Sequence, residues 1–115
     1  MKDMLDRLKG ADPDTMWKID YYAPDNLDIR QYEHHGIEDR FILDAIIQVV
    51  LQEAITSRGW SWRMQSFPSS DGRHPNETVC VIMRTKGVIW WDHKAVYAGS
   101  PAIALLAAYL EAIRV

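Results

Sequence analysis

Between residues 38 and 58 the chain carries an almost unbroken apolar run, Phe41-Ile42-Leu43, Ala45-Ile46-Ile47, Val49-Val50-Leu51 and Ala54-Ile55, with polar residues mainly at 44, 48 and 52. Positions four apart lie on one side of a helix, so Asp44, Gln48 and Gln52 form a single narrow polar stripe on a helix that is otherwise apolar. Such a helix has to be covered on more than one side, by its own domain or by a second copy. Gly59, directly after Arg58, is the expected C-terminal stop.

The period then changes. Trp60, Trp62 and Met64 alternate with Ser61, Arg63 and Gln65, which predicts a half-buried strand, and residues 68–76 read as a long polar loop. Residues 78–85 predict a second strand and residues 88–97 a third, joined by Lys86-Gly87 as a two-residue hairpin. Ser100 as cap and Pro101 at the first helical position open a closing helix to about Arg114. Its alanines at 102, 104, 107, 108 and 112 allow close approach. The expected fold is α+β: a two-layer sandwich in which two helices flank a three-stranded antiparallel sheet in the order α-β-β-β-α.

The first 36 residues read as an acidic N-terminal extension preceding a single domain over 37–115. Residues 1–40 hold ten acids and six bases, whereas residues 41–115 hold six and seven. Within the extension, residues 2–9 predict a short helix stopped by Gly10, and residues 17–22 alternate well enough for a short strand ended by Ala23-Pro24-Asp25-Asn26. Residues 27–35 read as a helical turn or two, or as a solvated segment.

Composition confines the function. At 115 residues, 48% hydrophobic and 25% charged, the chain is one globular domain with enough apolar content for a core. Its net charge of -3 argues against a general nucleic-acid binder. The single Cys80 excludes an internal disulfide. No segment is apolar enough to span a membrane and the first residues are not a signal peptide, so the expected location is the cytoplasm.

Residues 37–114 resemble the phage ABA-sandwich domain family. The likeness lies in Asp44-Ala45-Ile46-Ile47-Gln48-Val49-Val50, in Arg58-Gly59-Trp60-Ser61-Trp62, and in Ala98-Gly99-Ser100-Pro101-Ala102-Ile103-Ala104-Leu105-Leu106-Ala107-Ala108. These positions encode a packing face, a glycine stop and a cap, so they carry no catalytic residue over. The resemblance implies a phage or prophage accessory protein. The acidic extension and Trp90-Trp91 have no counterpart in that pattern.

No residue set carries an evident catalytic or metal motif. His34 and Glu38 would share a face if their segment were helical, but Gly36 interrupts it and the thiolates and further histidines of a zinc site are missing, so neither a metal nor a cofactor is expected. A hairpin centred on Lys86-Gly87 would set Cys80 opposite His93, a thiol beside an imidazole without a group to orient it. The aromatic residues say more. Trp90 and Trp91 must point to opposite sheet faces, and Met83 joins Trp90, Val79 and Val81 on the face away from the helices. Trp62-Arg63 and Arg84 complete an expected partner-binding set of Trp90, Trp91, Met83, Trp62, Arg63 and Arg84. In the competing arrangement Trp17, Tyr21 and Tyr22 fold over that face from within the chain. The expectation is a non-enzymatic protein that binds a protein partner as inhibitor or adaptor. A homodimeric, self-assembling module built on residues 41–57 and the closing helix is one alternative, and a small enzyme using Cys80 and His93 is another.

Overall fold

The computed structural model describes residues 1–67, 77–84, 96–98 and 100–114. Helix α1, Lys2–Ala11, continues through Gly10 and buries Leu5 and Leu8. Asp12 ends it and caps α2, Pro13–Tyr22, by accepting the Thr15 N–H at 3.3 Å and the Thr15 hydroxyl at 2.6 Å. Pro13 stands where its missing N–H leaves no bond unmade, and Asp14 adds an acid to the positive end of the helix. The strand expected over 17–22 is therefore helix. A strong start signal at Asp12-Pro13 overrides the β preference of the aromatics, and Thr15, Met16 and Ile19 bury one helical face.

A 3-10 segment, Ile29–His34, buries Ile29 and Tyr32. His35 and Gly36 are extended, so this segment and the next helix are separate. Helix α3, Ile37–Ser57, buries Leu43, Ile47, Val50, Leu51 and Ile55. It ends in a paired return of the chain: the Trp60 N–H donates to the Ile55 carbonyl at 3.1 Å and the Gly59 N–H to the Thr56 carbonyl at 2.9 Å. That geometry requires a left-handed residue, and Gly59 supplies it at φ 78°.

Strands β1, Ser61–Phe67, and β2, Glu77–Met83, pair antiparallel with Trp62 opposite Ile82 and Met64 opposite Cys80. Strand β3, Val96–Ala98, adds three residues beyond β2, with Cys80 opposite Val96. The expected two-layer sandwich with a full three-stranded sheet is thus corrected. The general class is α+β, but helices dominate, and the sheet rests on two seven-residue strands. The β2–β3 register also differs from the one a Lys86-Gly87 hairpin imposes, which would pair Cys80 with His93. Lysine lacks the positive-φ preference that pins such a turn. The turn and most of the expected third strand lie outside the described residues.

Helix α4, Pro101–Ala112, is buried round most of its circumference, with Glu111 outward. It packs against β2 and β3, against α3 and against α1, while α2 packs against α1 and α3. Ala102, Ala104, Leu105, Leu106, Ala108, Tyr109, Leu110 and Ala112 are all buried. Ser100 holds the cap position, but its side chain makes no capping hydrogen bond. The first 36 residues, read as an extension, contribute Leu5, Leu8, Met16, Ile19, Leu27, Ile29 and Tyr32 to the same core cluster.

Gly59→Ala is expected to destabilise the fold by about 1–2 kcal/mol, the cost of a left-handed residue with a Cβ. Denaturant unfolding measures it, and an unchanged midpoint would show that the α3 end tolerates another geometry.

Candidate functional site

All of the large apolar side chains that are exposed among the described residues belong to two helices: Trp17, Tyr21 and Tyr22 on α2, and Ile37, Phe41, Ile42 and Val49 on α3. Helical spacing explains how they come together. On α2, Thr15, Met16 and Ile19 face the core and Lys18 and Tyr22 face α3, which leaves Trp17 and Tyr21 outward. Their rings stack with centroids 5.1 Å apart, and Tyr22 meets Tyr21 edge-on at 5.3 Å. On α3, Phe41, Ile42, Ala45 and Val49 lie opposite the buried Leu43, Ile47 and Val50. The polar stripe of Asp44, Gln48 and Gln52 is only half-exposed, whereas Phe41 is 67% and Val49 62% exposed. Asp44 is held by the Tyr32 hydroxyl at 2.5 Å. Burial, followed by this carboxylate, pushes the Tyr32 phenol up to about 12. Phe41 and Val49 are therefore more exposed than the polar stripe itself.

A groove of about 440 Å³ runs between the two helices, lined by Tyr22 from α2 and by Ala45, Ile46, Val49, Val50 and Glu53 from α3. Its only charged wall is Glu53, whose carboxylate lies 3.5 Å from the Lys18 ammonium. The groove has the shape and lining to take an apolar side chain rather than to perform chemistry.

A polar network fixes α2 in place. Tyr109 of α4 donates its hydroxyl proton to Asp12 at 2.5 Å and accepts from Arg58 Nε at 3.1 Å. Arg58 also reaches Asp12, Nη2 to Oδ2, at 3.5 Å. Burial acts to raise the Asp12 pKa, but the hydrogen bonds from Thr15 and Tyr109 and the Arg58 charge outweigh it, so the carboxyl titrates below its ordinary range. The Tyr109 phenol is raised by burial and by its bond to Asp12. These groups join the start of α2, the end of α3 and the face of α4, a joint that sets the angle at which the aromatics of α2 meet solvent.

The sequence-predicted site residues divide. Trp90, Trp91 and His93 lie outside the described residues. Arg63 is exposed on the sheet face away from the helices, with Met83, Val79 and Val81 half-buried on the same face. Trp62 points to the helix side and packs partly buried against the core. Arg84 turns toward the end of α4, where Nη1 donates to the Ala112 carbonyl at 2.8 Å. Its guanidinium lies 5.8 Å from the Trp60 ring centre, which Arg58 also approaches at 5.1 Å. The set thus brings Arg63 and Met83 together and places Trp62 and Arg84 elsewhere. Nor do Trp17, Tyr21 and Tyr22 cover the sheet: α2 packs on helices and exposes them. The face of α2 and α3 was missed residue by residue. Its signals were the requirement that helix 38–58 be covered on more than one side and the i, i+4 spacing of Trp17 and Tyr21.

The Cys80 thiol is buried, and burial pushes its pKa up to about 12. His34 and Glu38 fall on separate segments, and among the described residues no group of His, Cys, Asp and Glu is arranged to hold a metal. No described helix is long and apolar enough to cross a membrane. No family model, no curated protein and no solved structure matches the chain.

Because the folded Asp12 pKa is depressed, its contribution to stability is full above the unfolded value of about 3.9 and is lost as pH falls through the folded value. Asp12→Asn keeps a capping side chain but removes the charge, so its stability is expected to fall less steeply than wild type below about pH 4. Acid unfolding curves of the two proteins test this, and parallel acid limbs would dismiss the linkage. Cys80 is expected to react with thiol reagents only as fast as the fold opens. Rapid stoichiometric labelling under native conditions would contradict its burial.

Proposed function

We propose that the protein acts by binding another protein, without chemistry of its own, through the face built by α2 and α3. The observation that carries this reading is that, among the described residues, the exposed large apolar side chains fall on those two helices. Isolated exposed hydrophobics need no explanation, but a contiguous aromatic and aliphatic patch does. Aromatic residues at the centre and few charges among them are the composition of an interface core.

Two observations support a non-enzymatic reading. The reactive form of cysteine is the thiolate, which a pKa of about 12 denies to Cys80 near neutral pH. Its strand partner is Val96, so the sheet register gives no support to a Cys80–His93 pair. The further proposal of a phage or prophage accessory protein, working in the cytoplasm as inhibitor of a host or defence protein or as an adaptor, is supported by the residue likeness over 37–114. The acidic first third is consistent with such a role, since it favours partners with a basic rim around the apolar centre.

Photo-crosslinking inside the producing cell tests the surface. A photoreactive phenylalanine analogue at position 41 is expected to give discrete protein adducts, and the same group at position 65, on the sheet, none. Adducts from position 65 with none from position 41 would move the binding site to the sheet and overturn the assignment.

A further inference from the structure

We infer that the occupant of the α2–α3 face is a second copy of this chain, docked with the two α3 helices antiparallel about a two-fold axis beside Ala45. This rests on the association reading above and names its partner.

The first argument is shape. Phe41 and Ile42 protrude one turn before Ala45, and the groove between Tyr22 and α3 opens from Ala45 toward Glu53, one turn or more after it. A two-fold axis perpendicular to α3 exchanges the two sides of Ala45. It therefore sets Ile42 of each copy over the groove of the other and Phe41 near Val49 of the other. A two-fold interface has to be complementary to itself, and a knob and a hole equally spaced about one small residue meet that condition. Ala45 at the centre lets the helix axes approach closely. The same operation brings the two α2 helices to one side of the contact, where Trp17, Tyr21 and Tyr22 extend it.

Charge decides the direction. From Phe41 to Gln52 the outward face of α3 carries Phe41, Ile42, Ala45, Gln48, Val49 and Gln52, so two copies meet without opposing like charges at the centre. Parallel docking would stack the acidic first turn, Glu38 and Asp39, on its own copy. Antiparallel docking separates the two acidic turns to opposite ends of the contact, where each comes near the Lys18–Glu53 pair of the other copy. It also opposes the two helix dipoles.

The extent is adequate. The stretch from Ile37 to Glu53 runs about 25 Å at 1.5 Å per residue. With α2 alongside at about 10 Å, the face measures about 25 by 20 Å, a footprint of about 500 Å² per copy and about 1,000 Å² in all, at the lower bound for a specific interface.

Light scattering of the purified full chain across a concentration series is the test. Wild type is expected at twice the chain mass, and the double variant Phe41→Glu/Ile42→Glu at the single mass with an unchanged circular dichroism spectrum, since both side chains are exposed. Ala45→Cys, beside the axis, is expected to form a disulfide-linked dimer on mild oxidation, because two-fold related α-carbons at close helix contact fall within about 7 Å. Gln65→Cys, on the sheet, is expected to stay unlinked. A dimer that survives the double variant and does not cross-link through position 45 would overturn the docking. A wild type that stays at the single mass at every concentration would also overturn it. In that case, position-41 adducts to a different protein would leave the association reading standing without the second copy. A single mass together with no adducts would remove both.

Discussion

Helix α4 buries its leucines, Tyr109 and most of its alanines and leaves the line of Ile103, Ala107 and Glu111 toward solvent, so the chain has to supply walls on most of its sides. The sheet is one wall, α3 another and α1 a third. The alanines make this possible, because a helix built from small residues admits close neighbours on several faces at once. The helical content of the first residues follows from the same constraint. Without Leu5 and Leu8 one side of α4 would meet water, so the segment that composition marks as an acidic extension is part of the core.

The joint at Asp12 is what lets two short helices serve as a wall. Helices of ten residues are marginal alone, and their order in the fold comes from tertiary contacts. Asp12 gives the turn between α1 and α2 one carboxylate that answers Thr15 of α2, Tyr109 of α4 and Arg58 at the end of α3 together. Arg58 in turn lies over the ring of Trp60, which follows Gly59. A left-handed glycine, a capping aspartate and a buried tyrosine thus meet at one corner, and the orientation of α2 depends on all of them. Arg84 acts in a related way at the other side of Trp60, satisfying a carbonyl at the end of α4 with a cation, as the helix dipole favours.

Much of this was legible in the sequence where the period was strong. The apolar run marks α3, Gly59 marks its end, and the alternation of Trp62 with Arg63 sorts β1 into an inward and an outward side. The first third was harder because two signals compete there. Trp17, Ile19 and Tyr21 alternate as in a strand, but Asp12, Pro13 and Asp14 start a helix, and the cap decides because Thr15, Met16 and Ile19 then bury together. Register was harder again. A shift of a few positions between β2 and β3 removes His93 from opposite Cys80, and no local rule in a Lys-Gly pair prevents such a shift. The apolar face left exposed on α3 was legible in outline, since the helix over 38–58 is apolar on more than one side. Its members were not, because they depend on which side α4 takes.

That dependence also explains why α3 is left as it is. One side of it is committed to α4 and β1, another to α2, and its Asp44 side to the 3-10 segment that carries Tyr32. Among the described residues no further element covers Phe41, Ile42 and Val49. Asp44, between them in sequence, is drawn aside by Tyr32. Burying side chains of this kind is worth about 1.5–3 kcal/mol each in transfer terms, of which association returns only part once orientation and ordering are subtracted. Even a fraction of that, summed over two helices, is large beside the few interactions that keep α2 in place. A fold that spends its one long helix half outside its own core has its remaining stabilisation available only on contact with something apolar.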